Sequence, residues 1–309
     1  MARAYASIIL KAPVETVWSL VRDFNGLPNW TAVVKSKIEN GLDSDVVGCV
    51  RSFHLANGAH VRERLLMLDD ARHCFTYNFE KPAFPVKNYL ATLRLYPVTH
   101  TDQTFAEWEA TFDEAPGDEG KYVKIVSNDV FAANFKSLAA LIARTKPATP
   151  AGAVRWKAWA PNKVWTSRVI KGPVDEVWTV MRDFAGMGGW HEEITKMQML
   201  KRQRADKVGG IRDFYFGAGH LHEELLHLCD ITRSFSYRIT KCDIPWMNYV
   251  SGPRLWPVTA DNSTFGVWTG DWVASPQDDL TLIPNTEQNV YQRAFATVER
   301  NYFGKKRKG

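Results

Sequence analysis

The feature that most constrains this chain is that it repeats itself. Val17-Trp18, Arg22-Asp23-Phe24, Gly26 and Trp30 return as Val177-Trp178, Arg182-Asp183-Phe184, Gly186 and Trp190, an offset of 178 − 18 = 160. The offset becomes 161 where Gly48, Arg51 and Phe53 meet Gly209, Arg212 and Phe214, and is 160 again for Glu63/Glu223, Tyr77/Tyr237, Asn88-Tyr89/Asn248-Tyr249, Trp108/Trp268 and Phe135/Phe295. Ordered matches over the whole of each half mean duplication of one folding unit. The expected division is domain one at 1–145, a linker at 146–161 and domain two at 162–309. Pro147, Pro150 and Gly152 suit a semi-rigid connection. Trp156 and Trp159 near its end either cover a groove between the copies or rim a ligand opening.

A chain of 309 residues that is 45% hydrophobic and 24% charged can form two full cores. Its formal charge of +5 is spread widely apart from the terminal Lys305, Lys306, Arg307 and Lys308, so no nucleic-acid partner is expected. Cys49, Cys74, Cys229 and Cys242 show neither CxxC spacing nor correspondence between the copies, which argues for reduced thiols over disulfides or zinc. No run of eighteen apolar residues occurs and no signal-peptide core follows Met1, so no membrane span and a cytoplasmic location are expected. The oligomeric state is not legible.

Each copy opens with an alternating strand, Ala4 to Leu10 or Val164 to Ile170, followed by Pro13 or Pro173 at a helix start and apolar residues at helical spacing. Gly26 and Gly186 suit the end of that helix. Period-two alternation follows through Arg51-Phe53-Leu55, Val61-Glu63-Leu65-Met67, Phe75-Tyr77-Phe79, Tyr89 to Leu95 and Phe105 to Phe112, with a turn at Asn57-Gly58. A last helix presents Val130, Phe131, Asn134, Phe135, Leu138, Leu141 and Ile142 on one face, matched by Val290, Tyr291, Ala294, Phe295 and Val298. Sheet and helix each have one apolar face and no other partner, so the expected class is α+β, a curved antiparallel sheet around a long C-terminal helix, twice over.

These residues resemble the START/Bet v 1-like (SRPBCC) superfamily, and within it the polyketide cyclase/dehydrase and lipid-transport branch. The likeness rests on Pro13-Val-Glu-Thr-Val-Trp-Ser-Leu-Val-Arg-Asp-Phe24, Leu27-Pro-Asn-Trp30, the Val61-Arg-Glu-Arg-Leu-Leu66 strand, Phe75-Thr-Tyr77 and Tyr89-Leu-Ala-Thr-Leu-Arg-Leu95. It covers nearly all of copy one and, more loosely, copy two. The resemblance implies a helix-grip fold with a cavity between sheet and closing helix for lipids, hormones, polyketides or aromatic intermediates. Some such proteins catalyse cyclisation, dehydration or condensation; others only carry or sense a ligand.

Alternation places Glu63 on one strand face with Val61, Leu65 and Met67, and Glu223 with Leu221, Leu225 and His227. A carboxylate among apolar neighbours is a candidate general acid or base, and an ion pair with Arg51 or Arg212 is the alternative. Tyr77 and Tyr237 could donate to a ligand carbonyl or be satisfied by the protein. Asn88-Tyr89 and Asn248-Tyr249 belong to a loop entering a strand, as a turn or a gate. Asn134 faces the cavity in copy one only, Ala294 replacing it. Trp30 and Trp190 stand at what the resemblance implies is the cavity mouth, and His191 with Glu192 and Glu193 is a candidate proton shuttle. Trp108, Trp268, Trp246 and His227 complete the candidate ligand contacts. His220, His222 and Glu224 share the opposite strand face, where a metal is not expected.

GxGxxG, GxxxxGK, GxSxG and HExxH are all missing from the sequence, and no cofactor is expected. The expected function is a cofactor-independent enzyme of secondary metabolism, a cyclase or dehydratase acting on a hydrophobic polyketide or aromatic intermediate. The alternative is a non-catalytic carrier or sensor of a lipid-like or aromatic molecule.

Overall fold

The computed structural model describes residues 1–309 except 40, 56–57, 154–155, 157–161 and 305–309. The chain divides into two compact units, the first chiefly Met1–Val98 and Asp102–Trp159, the second chiefly Ala160–Val258 and Asn262–Gly309. Unit one has strands β1 (Ala2–Leu10), β2 (Ser36–Ile38), β3 (Val50–His54), β4 (His60–Asp69), β5 (Cys74–Lys81), β6 (Val86–Val98) and β7 (Gln103–Glu114). They form one antiparallel sheet in the order β1-β7-β6-β5-β4-β3-β2. Unit two repeats it with β8 (Val164–Ile170), β9 (Ile194–Met199), β10 (Ile211–Phe216), β11 (Gly219–Cys229), β12 (Ser234–Lys241), β13 (Met247–Val258) and β14 (Ser263–Val273) in the order β8-β14-β13-β12-β11-β10-β9. The edge strands β2 and β9 have no counterpart among the expected elements.

The first helix, Val14–Val21, follows Pro13 as expected, but Gly26 does not end it. Gly26 opens a second short helix, Leu27–Trp30, and a Cβ there would sit 2.9 Å from the Asp23 carbonyl. The first helix is pinned to the β4–β5 turn: Asp70 accepts from Trp18 Nε1 at 2.8 Å and from Arg22 at 2.7 and 2.8 Å. Asp230 does the same for Trp178 and Arg182. The repeated Val-Trp and Arg-Asp-Phe motifs are therefore anchors of the fold.

The closing helix of unit one runs 25 residues, Lys121–Thr145, with π-helical turns at Ile125–Ala132, and buries Phe131, Phe135, Leu138 and Ile142 against the sheet. By length and hydropathy it could cross a membrane, as core helices of this length often can. In unit two the corresponding helical stretch runs from Pro276 through Phe303 and buries Tyr291, Phe295 and Val298. Trp108 stacks on Phe131 at 4.6 Å and Trp268 on Tyr291 at 5.2 Å, which locks helix to sheet.

The expected alternation holds along β4 up to Leu65 and then breaks. A bulge between Leu65 and Met67 turns Met67 outward, and its counterpart between Leu225 and His227 does the same to His227. A second bulge, between Lys87 and Leu90, has Asn88 at φ 52°; Asn248 sits likewise at φ 54° between Met247 and Val250. Asparagine tolerates this left-handed backbone, and both side chains are exposed. The turn expected at Asn57-Gly58 falls partly outside the described residues.

Candidate functional site

Between sheet and closing helix each unit has an apolar cavity of ≈ 70 Å³.

At its base lies an arginine–glutamate pair. Register sets Arg51 of β3 opposite Glu63 of β4, and Arg51 Nε donates to Glu63 Oε2 at 2.6 Å. The guanidinium also donates to the Phe24 carbonyl at 2.6 Å and lies 3.9 Å from the centre of the Phe24 ring. In unit two, Arg212 meets Glu223 at 2.6 Å, the Phe184 carbonyl at 2.9 Å and the Phe184 ring at 3.9 Å. The ion pair weighed from the sequence is thus present, and each glutamate still lines its cavity. Burial pushes both carboxyls up from their ordinary value, and the charge and hydrogen bond of the arginine pull them back.

The walls of the two cavities differ. Tyr77 of unit one accepts from Trp108 Nε1 at 3.2 Å, and Tyr89 stacks on Phe79 at 3.9 Å. In unit two Trp268 Nε1 instead donates to Ser251 Oγ at 2.9 Å, Ser251 shares a hydrogen bond with the Tyr291 hydroxyl at 2.8 Å, and Tyr291 meets the Tyr249 hydroxyl at 2.5 Å. Three changes built this network: Ala91, Ala110 and Phe131 of unit one are Ser251, Gly270 and Tyr291 in unit two. Gly270 is the enabling one, because a Cβ there would lie 2.1 Å from the Tyr291 hydroxyl. Burial raises Tyr237, Tyr249 and Tyr291 well above the usual phenol value, so all three stay protonated.

His191 lines the second cavity and is 4% exposed. Burial, helped by the Arg293 charge, lowers its pKa to about 4. Its expected companions go elsewhere: Glu193 pairs with Arg293 and Glu192 with Arg300, tying this segment to the closing helix. The expected shuttle of His191 with two carboxylates therefore does not assemble. Trp246 lines the same cavity and packs against Tyr249 at 4.8 Å. Asn134 lines the first cavity.

Other candidates lie off the cavities. Asn88 donates to Asp113 at 2.7 Å on the surface, and Asn248 and His227 are exposed because the bulges turn them away. Trp30 and Trp190 are buried, 3% and 5% exposed, and pack within the core instead of rimming a mouth. Trp156 stacks on His73 at 5.7 Å in unit one, and Trp159 lies outside the described residues. On the other sheet face of unit two, His220 and His222 cluster with Asp213, not with Glu224, which pairs with Arg238. Ligand atoms of these three lie within 4.8 Å of one another, and His220 Nε2 is hydrogen-bonded to Asp213 at 2.5 Å.

The family model described as polyketide cyclase / dehydrase and lipid transport matches residues 1–143 and again 161–301. The chain belongs to this family. It is a tandem member of the START/Bet v 1-like superfamily, one family unit to each half. The abscisic acid receptor PYL7 of Arabidopsis thaliana is 32% identical over 91 residues, 28% of this chain, which spans 42% of the receptor's length. Among solved structures, XoxI from Bacillus cereus is 26% identical with a TM-score of 0.43, covering 47% of this chain and 99% of that one. The di-domain ARO/CYC BexL of the BE-7585A biosynthetic pathway is 12% identical with a TM-score of 0.36, covering 99% of this chain and 100% of that one.

Tyr291, Ser251 and Gly270 were not among the candidates read from the sequence. Tyr291 reads as one more apolar position of the closing helix. The usable signal was the joint change of three aligned positions between copies.

Proposed function

We propose that this chain is a cofactor-independent enzyme that promotes cyclisation or dehydration of an aromatic or poly-carbonyl intermediate, with the reaction in unit two. The observation that carries the reading is the buried chain Tyr249–Tyr291–Ser251, which reaches the cavity at Tyr249 and has Phe131 and Ala91 in its place in unit one. Protonated phenols can donate to a carbonyl or to a departing hydroxyl, and Glu223, whose pKa burial raises, is placed to take a proton from carbon. In a dehydration, Glu223 removes the proton beside the carbonyl, the C–O bond breaks, and Tyr249 protonates the leaving hydroxide to water. Water in the cavity then carries the proton from Glu223 back to Tyr249, restoring both groups, and the hydrogen bond from Tyr291 stabilises the transient Tyr249 phenolate. Positioning the substrate in one reactive conformer supplies the rest of the acceleration. Unit one, with the same Arg–Glu pair but Phe131 and Ala91 in place of Tyr291 and Ser251, holds a ligand or supports the fold.

The test is incubation with a synthetic poly-β-ketone, followed by mass spectrometry for loss of water. Turnover faster than buffer that falls by about 10²-fold or more in Tyr249→Phe supports the reading. Tight binding with no turnover favours the carrier alternative.

A further inference from the structure

His191 and Trp246 both line the second cavity. His191 Nε2 and Trp246 Nε1 are buried with no hydrogen-bond partner among the described residues. The Glu193 backbone N–H donates to His191 Nδ1 at 3.3 Å, so a neutral imidazole carries its proton on Nε2. Both groups are therefore donors. A buried donor without an acceptor costs free energy that a ligand oxygen can restore. At the corresponding positions of unit one, Thr31 stands for His191 and donates its hydroxyl to the Leu27 carbonyl at 2.7 Å, and Val86 stands for Trp246. The surrounding lining is apolar, with Met187, Phe214, Phe216 and Ile239 among it.

We infer that His191 Nε2–H and Trp246 Nε1–H form a subsite for a carbonyl oxygen, so that unit two selects a flat aromatic ligand bearing a ketone and unit one does not. This deepens the proposed function, because it rests on the second cavity being a ligand site. The neutral state of the imidazole favours an uncharged carbonyl over a carboxylate, which a cationic partner would serve better.

The test uses the full chain and two probes of one shape: 2-acetylnaphthalene, and 2-isopropenylnaphthalene, in which a methylene replaces the ketone oxygen. Affinities come from calorimetry, and the Trp246 indole N–H resonance, assigned by its loss in Trp246→Phe, reports the hydrogen bond. The ketone is expected to bind about tenfold more tightly and to shift that resonance downfield. His191→Phe and Trp246→Phe should each remove most of the preference while changing the hydrocarbon's affinity by about twofold or less. If His191→Phe fails to fold, Trp246→Phe and the indole shift decide alone. Equal affinity for the two probes, or a preference that survives the variants, overturns the subsite and leaves the cavity reading standing. Failure of both probes to bind at about 1 mM overturns both.

Discussion

Arg51 and Glu63 face each other across β3 and β4 with Nε and Oε2 2.6 Å apart, and both side chains are almost wholly removed from solvent. A buried ion pair contributes little over apolar residues of the same volume, but removing one partner leaves an uncompensated charge. Arg51→Met should therefore destabilise unit one by roughly 3–5 kcal/mol, while Arg51→Met with Glu63→Leu should cost clearly less. Urea unfolding of the three proteins checks this. Equal costs for the single and double variants would mean that the pair is not what holds the site.

Gly270 and Tyr291 should behave as one unit. Gly270→Ala sets a methyl against the Tyr291 hydroxyl and should cost about 1–3 kcal/mol, as overpacking does. Adding Tyr291→Phe recreates the Ala110/Phe131 pair of unit one and should recover most of that loss. Thermal denaturation of the single and double variants reads the coupling.

His191 makes stability depend on pH. Its folded pKa of about 4 lies below the ordinary 6.5, so between these values the unfolded chain binds a proton that the folded one does not. Stability contributed by the neutral ring is complete above pH 6.5 and is lost as pH falls towards 4, by up to about 3 kcal/mol. His191→Phe should flatten that part of the curve, measured by denaturant midpoints across the range. An unchanged slope would show that His191 protonates freely in the folded protein.

Much of this was legible beforehand. The duplication, the α+β class and the Arg–Glu candidates follow from the offset and from strand alternation, because a pleat fixes which residues share a face. The failures are local. One extra residue after Leu65 and after Leu225 reverses the faces of Met67 and His227, and nothing in the side chains announces it. Asn88 and Asn248 were weighed as a turn or a gate, and the bulge conformation accounts for them. Strand β2, three residues long with only Ile38 apolar, offers too little pattern to detect. Tyr291 looks like core in a helix pattern, and in the sequence its hydroxyl network shows only as the joint change at Ala91/Ser251, Ala110/Gly270 and Phe131/Tyr291.

The central claim is that two like folds hold unlike sites, with chemistry in unit two. It is tested most directly by comparing Glu63→Gln and Glu223→Gln for turnover of a poly-β-ketone, with folding confirmed by circular dichroism. Glu223→Gln is expected to lower the rate by about 10²-fold or more, and Glu63→Gln to leave it within about twofold. Equal losses in both, or activity intact in both, would contradict the account.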